Sequence, residues 1–140
     1  MSRKTARRHS FILLFQTEFY EDYNLFEHIE RYFLELNNIS CEDKDFITRE
    51  VSCVYENLSF IDTVISKHLT GWGIDRLNKI DLAIIRLAIY EMLYEQDIPM
   101  NVSINEAVEL AKTYGTDESY QFVNGILSKV FTLIKEQNVK

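Results

Sequence analysis

The sequence contains little of what turn-rich folds and membrane segments require. It has 140 residues with one proline and four glycines, and no apolar run reaches the roughly 20 residues that span a bilayer as a helix. So few prolines and glycines disfavour a β-sandwich, which depends on many turns. Hydrophobic residues nevertheless make up 46% of the chain, which is typical of a packed core. The sequence therefore predicts one domain, or two small subdomains that share a core.

The chain is also poor in cysteine. Cys41 and Cys53 lack the spacing of a metal or redox motif. The charged N-terminus leads directly into an amphipathic pattern and lacks the apolar stretch of an export signal. We therefore expect a cytoplasmic protein with reduced, structural thiols. A disulfide between the two is the alternative in an oxidising compartment.

Motifs of catalysis are sparse as well. His9, His28 and His68 are too scattered for the spacing of zinc ligands. The Gly71-Trp72-Gly73 segment lacks the third glycine and the preceding strand of a dinucleotide site. Carboxylates are plentiful, but they fall on the polar faces of predicted helices, where charges are ordinarily solvated. The sequence therefore predicts no metal site, no cofactor and no catalytic activity.

What the chain does have is an uneven distribution of charge. It has 15 lysines and arginines against 22 aspartates and glutamates, a net formal charge of −7. Yet no acidic residue precedes Glu18, and the chain begins with the cations Arg3, Lys4, Arg7 and Arg8. Cations at a helix N-terminus oppose the helix dipole, so this placement favours an external anion, such as phosphate, as their partner. A solubilising, frayed basic terminus is the alternative.

The spacing of apolar residues predicts helices along the whole chain. In the first half of the chain the predicted helices are 3–20 with Ser2 as N-cap, 25–36, one that opens with Glu42-Asp43, and 61–69 after a cap at Ser59. In the second half they are a long helix from Leu77 to Leu93, a helix from a Ser103–Glu106 capping box to Tyr114, and 118–136. Gly71-Trp72-Gly73 interrupts the pattern. We therefore predict an all-α fold of about seven helices in two packed subdomains of three-helix type, about 1–70 and about 74–136.

One local signal conflicts with this helical pattern. Asn124-Gly125 lies between apolar residues, as the turn of a β-hairpin would. The helical spacing of Val123, Ile126 and Val130 continues through it, so we predict a glycine inside a helix, at a cost of about 1 kcal/mol relative to alanine. Close approach of another backbone or of a ligand is the usual reason for such a glycine.

Three segments carry a resemblance to a known family. They are the basic start Arg3-Lys4-Thr5-Ala6-Arg7 leading to Leu14-Phe15-Gln16, the stretch Leu82–Glu91 followed by Asp97-Ile98-Pro99, and the stretch Ile104–Lys112 followed by Phe122-Val123-Asn124-Gly125. In order and spacing they cover about residues 3–133. The chain resembles the NusB family of bacterial transcription antitermination factors.

The resemblance implies an all-helical protein that binds the boxA element of nascent RNA together with NusE, a ribosomal protein of the small subunit. The pair joins the transcription elongation complex and suppresses premature termination, especially on ribosomal RNA operons. Two positions depart from the family pattern. Arg8 stands where an acidic residue is common, and Phe15 stands where tyrosine, with a hydroxyl that can bond a base or phosphate, is common. The family contains monomers and homodimers, and the sequence leaves both open.

The charge pattern and the resemblance together indicate which residues act. Phosphate contacts are expected at Arg3, Lys4, Arg7 and Arg8, base contacts at Phe15, Tyr114, Glu118, Phe122 and Asn124, and the NusE contact at Asp75, Arg76 and Asp81. Plainer alternatives exist, because most aromatic residues at helical spacing belong to the core and most charges on helices are solvated. The competing hypothesis is a protein-binding helical adaptor that does not contact RNA.

Two further residues are predicted to be structural. Arg86 lies within an apolar stretch and is expected to pair with a buried carboxylate, such as Glu106 or Glu109. Trp72, between two glycines, is expected to cap the junction between the subdomains.

Overall fold

The protein is built from helices. The computed structural model describes residues 1–19 and 24–137. These residues form no strand and seven α-helices, with a 3₁₀ helix at Ile74–Arg76 between the fourth and fifth: α1 (Arg3–Thr17), α2 (Leu25–Leu34), α3 (Cys41–Glu56), α4 (Leu58–Lys67), α5 (Lys79–Tyr94), α6 (Met100–Tyr114) and α7 (Ser119–Gln137). This confirms the predicted all-α class. The predicted end of the first helix, Tyr20, lies outside the described residues.

Local side chains fix where most of these helices begin. In four of them the N-cap side chain accepts a hydrogen bond from the backbone N–H three residues further on, as serine and asparagine caps do: Ser2, Asn24, Ser40 and Asn78. The predicted cap at Ser2 is therefore confirmed.

Two predicted helix starts are wrong. Helix α4 begins at Leu58, so Ser59 lies inside it rather than capping it. Helix α6 begins at Met100 directly after Pro99, whose ring fixes φ near the helical value. Ser103 is therefore an interior residue, and its buried hydroxyl donates to Oε1 of Glu91 at 2.8 Å instead of capping the helix.

The core is centred on α5. This helix packs against α1, α3 and α4 from the first half of the chain and against α6 and α7 from the second. Buried apolar residues of both halves form one continuous cluster. Gly71, at φ 76°, makes a left-handed turn between α4 and the 3₁₀ helix, a conformation that favours glycine. Because one core joins the two halves, the division into subdomains stays a prediction.

Arg86 of α5 ties the first half of the chain to this central helix. Its Nε and Nη2 donate to the two carboxylate oxygens of Asp62 on α4, each at 2.9 Å. Its Nη1 donates to Glu18, which follows α1. Pairing with carboxylates agrees with the prediction, but the predicted partners Glu106 and Glu109 are wrong. Apolar spacing carries no information on which distant carboxylate the fold brings alongside.

Helix α7 runs without a break through Asn124-Gly125, as predicted from the spacing of its apolar residues. A methyl group on Gly125 would meet no atom of the chain within 4 Å. The fold itself therefore gives no reason for this glycine. None of the described helices combines the length and hydropathy needed to cross a membrane.

Candidate nucleic-acid interface

The cations at the start of α1 do not share one environment. Lys4 and Arg8 are exposed, and no carboxylate of the described residues lies within ion-pair distance of either. Arg3 leans against α3, where its guanidinium lies 4.1 Å from the centre of the Phe46 ring and 3.6 Å from a Glu42 oxygen. Lys4 and Arg8, which we call the open cations, are thus the exposed cations of this turn that have no ion-pair partner among the described residues.

Arg7 points into the protein, and only 6% of it is exposed. Its Nε donates to Oε2 of Glu91 at 2.7 Å, and that carboxylate also accepts from Ser103. Burial alone would lower the pKa of Arg7, but the charge and hydrogen bond of Glu91 outweigh this effect and raise it. Arg7 therefore remains charged as the partner of a buried carboxylate. This position does not suit the direct phosphate contact that we expected from it.

The open cations border a groove between α1 and α6. One wall of a hollow of about 230 Å³ is lined by Lys4, Thr5, Arg8 and the small exposed part of Arg7, and the other by Thr113 and Tyr114. Carboxylates of Glu106 and Glu109 also line this hollow.

A second hollow of about 350 Å³ adjoins the first. It is lined by Phe15, Lys79 and Tyr114 together with the loop residues Gly115 and Thr116. Tyr114 lines both hollows, and we call the two together the Tyr114 groove. The fold thus brings the start of α1, the start of α5 and the end of α6 to one surface.

Phe15 and Tyr114 line the groove and also contact neighbouring aromatic rings. Tyr114 is 36% exposed, and its ring packs on that of the buried Phe11 with 5.1 Å between centres. Phe15 is half-buried against Phe11 and Phe19, with ring centres 6.4 and 5.0 Å apart. Contact with Phe11 therefore holds both rings, while each of the two residues still lines the groove.

Lys79 is a groove residue that the sequence did not reveal. Its side chain is 43% exposed, and its Nζ lies 3.6 Å from Oε2 of Glu18. In the sequence it is simply the residue after the N-cap Asn78, far from the basic start. Lys79 lies beside the two predicted aromatic residues, Phe15 and Tyr114, only because α1, α5 and α6 pack together.

The predicted residues of α7 form a separate corner. Phe122 is half-buried, and its ring centre lies 5.9 Å from that of Trp72. Trp72 is 39% exposed, so it covers Phe122 without being buried. Glu118 and Asn124 are exposed nearby in the sequence. None of these four residues lines either hollow of the Tyr114 groove.

The residues expected to contact NusE also differ in exposure. Asp75 and Arg76 are exposed in the 3₁₀ helix. Asp81 is only 6% exposed. Its Oδ2 accepts from the amide of Asn78, whose own Oδ1 accepts from the Asp81 backbone. Asp81 is therefore part of the α5 N-terminus, and its burial does not suit the direct surface contact that we expected.

The histidines have structural partners. His9 bonds the Tyr32 hydroxyl and His28 bonds Gln16, each at 2.6 Å, so both histidines join α1 to α2. Burial and then the charge of Arg8 lower the pKa of His9. Within the part of the chain that the structure describes, no three histidine, cysteine or carboxylate residues come together as a metal site would require.

The fold and the groove define a class: an all-helical protein in which exposed cations and aromatic rings line one path, as in sites for single-stranded nucleic acid. The chain belongs to the NusB family, whose model matches residues 4–132. It is 47% identical to the transcription antitermination protein NusB of Agathobacter rectalis over 129 residues, which cover 92% of this chain and 98% of that one. It is 44% identical to the NusB protein of Bacillus subtilis over 137 residues, 97% of this chain and 99% of that one.

Solved structures show the same fold. The NusB structure from T. maritima superimposes with a TM-score of 0.86 at 41% identity, covering 93% of this chain and 90% of that one. A chain in a crystal structure of the antitermination factors NusB and NusE in complex with double-stranded RNA superimposes with a TM-score of 0.84 at 26% identity, covering 94% and 96%.

Proposed function

We propose that the protein is a non-enzymatic transcription antitermination factor of the cytoplasm. It binds boxA-type single-stranded RNA in nascent ribosomal transcripts together with the ribosomal protein NusE, and the pair acts within the transcription elongation complex. The observation that carries this proposal is the Tyr114 groove, whose two hollows share Tyr114 and are lined by open cations and aromatic rings. Membership of the NusB family supports it.

The groove supplies both kinds of contact that single-stranded RNA needs. Lys4, Arg8 and Lys79 are placed to neutralise phosphates, and Phe15 and Tyr114 offer ring surface on which splayed bases stack. Arg3 is available for phosphate at the edge of the same turn. Arg7 acts on this surface from beneath, through the ion pair that holds α1 on α5.

The corner around Phe122 extends the proposed RNA surface along α7. Glu118 and Asn124 are exposed there and offer acceptors and a donor for base edges. Gly125 follows on the same helix with open space above it, so a nucleotide or a partner backbone can approach closely. The proposed path therefore runs from the start of α1 through the Tyr114 groove to this corner.

NusE is proposed to dock near the 3₁₀ helix between α4 and α5. Asp75 and Arg76 are its exposed charges, and a carboxylate suits a basic ribosomal protein. Asp81 contributes by holding the start of α5 rather than by touching the partner. Because few cations face the RNA and the whole chain is acidic, RNA affinity is modest without NusE. NusE raises it, and RNA raises the affinity for NusE by the same factor.

Fluorescence anisotropy tests this function. The probe is a labelled boxA-like single strand, with a scrambled strand and a duplex as competitors, titrated with and without NusE across a salt series. We expect preference for the boxA strand, tighter binding with NusE, and affinity that falls as salt rises. Arg8→Glu should weaken binding and flatten the salt dependence, whereas Lys135→Glu, the same charge reversal at the far end of α7, should do neither.

The opposite result would support the competing hypothesis. Equal binding of boxA and scrambled strands, or none to either, would overturn the proposed RNA function. Binding of NusE under those conditions would leave a protein-binding helical adaptor.

A further inference from the structure

The hollow between Phe15, Tyr114 and Lys79 combines two kinds of surface. Two aromatic residues that both contact Phe11 line it, and a single ammonium group lies at the start of α5. A hollow of about 350 Å³ with this lining matches a nucleotide, which has one flat apolar part and one anionic part.

Lys79 has a carboxylate partner that is itself held in place. Glu18 accepts from Arg86, and Arg86 is fixed by its two bonds to Asp62. The Glu18 side chain is 19% exposed, whereas that of Lys79 is 43% exposed. The ammonium can therefore turn away while the carboxylate stays with Arg86. An ion pair at 3.6 Å whose cation is largely in solvent is weak enough to be exchanged for another anion.

We propose that this hollow is a subsite for one nucleotide of the bound strand, with its base against Phe15 and Tyr114 and its phosphate on Lys79. This inference rests on the proposed RNA function. When RNA binds, the phosphate replaces Glu18 as the partner of the ammonium. Glu18 is a positioning residue, which keeps Lys79 at the rim of the hollow in the free protein and remains bonded to Arg86 afterwards.

Two lysine substitutions and a matched control test the phosphate contact. Lys79→Gln removes the charge, Lys79→Arg retains it, and Lys135→Gln removes a charge on the last turn of α7, about 20 Å along the helix from Phe122. The readout is the slope of log affinity against log salt for the boxA-like single strand. Each phosphate contact contributes about 0.7 to that slope for a single strand. We expect Lys79→Gln to lower it by about 0.7, with Lys79→Arg and Lys135→Gln close to wild type.

Glu18→Gln tests the exchange of partners. It removes the carboxylate that competes with phosphate and leaves Arg86 bonded to Asp62. We expect RNA binding to tighten about two- to five-fold, the equivalent of releasing a weak exposed ion pair. A circular-dichroism melt of each variant checks that the fold persists. Weaker RNA binding by a folded Glu18→Gln protein would overturn the exchange.

The remaining outcomes separate the two proposals. If the wild type binds the boxA strand and Lys79→Gln keeps the full salt slope, the nucleotide subsite is wrong while the RNA function stands. Equal losses for Lys79→Gln and Lys135→Gln would reduce the effect to overall charge and also overturn the subsite. If the wild type binds no RNA, the proposed function fails and the subsite fails with it.

Discussion

At the scale of single residues, the centre of the protein holds an unusual set of charges. Glu50 and Glu91 are both fully buried, and Arg7 is nearly so. Arg7 pairs with Glu91. Glu50 has no ion-pair partner of its own among the described residues. Burial, followed by the neighbouring Glu91, raises the pKa of Glu50 well above its ordinary value. Glu50 is therefore the carboxyl of this buried set that takes up a proton more readily than a free glutamate does.

Removing the guanidinium should damage the fold rather than the surface. Arg7→Met leaves Glu91 buried without its cation, and we expect a loss of about 3–5 kcal/mol in the free energy of unfolding. Arg8→Met, one residue further along α1, should change it by less than about 0.5 kcal/mol because Arg8 is exposed. Urea unfolding of the two variants makes the comparison. Equal stabilities would contradict the assigned role of Arg7.

The raised pKa of Glu50 predicts a pH dependence with a definite sign. A carboxyl whose pKa is raised by folding contributes stability below its unfolded pKa, and this contribution is lost as pH rises through the folded pKa. Glu50→Gln keeps the shape and cannot ionise. We expect the free energy of unfolding of Glu50→Gln to increase relative to that of the wild type as pH rises from 5 to 9.

Urea unfolding at several pH values measures this difference, with the exposed Glu56→Gln as control. Curves for wild type and Glu50→Gln that stay parallel across the range would show that Glu50 is ionised throughout.

Residue roles were only partly predictable from the sequence. Arg7 stands three and four residues before Ser10 and Phe11, which are buried on the inner face of α1, so helical spacing contained a signal for its burial. The prediction of a phosphate contact for Arg7 follows only when the four cations of the basic start are considered as one group. Lys79 offered no such signal, because its neighbours in the groove come from other helices.

At the scale of elements, the junction between α6 and α7 shapes one rim of the groove. Gly115 ends α6, and at φ −90° it is not in the left-handed region. Glycine is needed there for space, because an added Cβ would lie 2.5 Å from Cβ of Ser119 and 2.7 Å from the Ala111 carbonyl oxygen. Ser119 Oγ accepts from the Thr116 backbone and caps the turn.

Two glycine substitutions should therefore have opposite effects. Gly115→Ala should lower the free energy of unfolding by about 1–3 kcal/mol through overpacking. Gly125→Ala should raise it by about 0.5–1 kcal/mol, because the site is helical and open. Urea unfolding gives both values, and effects of the same sign would contradict this account of the two glycines.

Gly125→Ala should also weaken RNA binding in the anisotropy assay, although it stabilises the free protein. The proposed ligand is the remaining reason for a glycine at this exposed position.

The helices themselves were largely predictable because their apolar spacing is regular, and in α7 this spacing continues through Asn124-Gly125. The start of α6 was not predictable from the sequence. Ser103 and Glu106 match a capping box in sequence, but the hydroxyl of Ser103 bonds Glu91 on α5. A local pattern cannot distinguish a cap from an interior serine whose partner comes from another helix.

At the scale of the whole molecule, one core holds residues from distant parts of the chain around a single groove. The start of α1, Lys79 of α5 and Tyr114 of α6 meet there, and α5 packs against both halves of the chain. The sequence predicted the helical class, and the family resemblance proposed site residues, of which Lys4, Arg8, Phe15 and Tyr114 line the groove. The groove itself follows from packing and had no sequence signal.

Amide hydrogen exchange with and without the boxA-like single strand is the sharpest test of the proposed RNA surface. The first amides of α1 lack intrahelical partners and exchange readily in the free protein. We expect slower exchange in residues 2–9 and 113–124 on addition of RNA, with α4 unchanged. Unchanged exchange at the start of α1 and around Tyr114, under conditions where the RNA is bound, would contradict the proposed RNA surface.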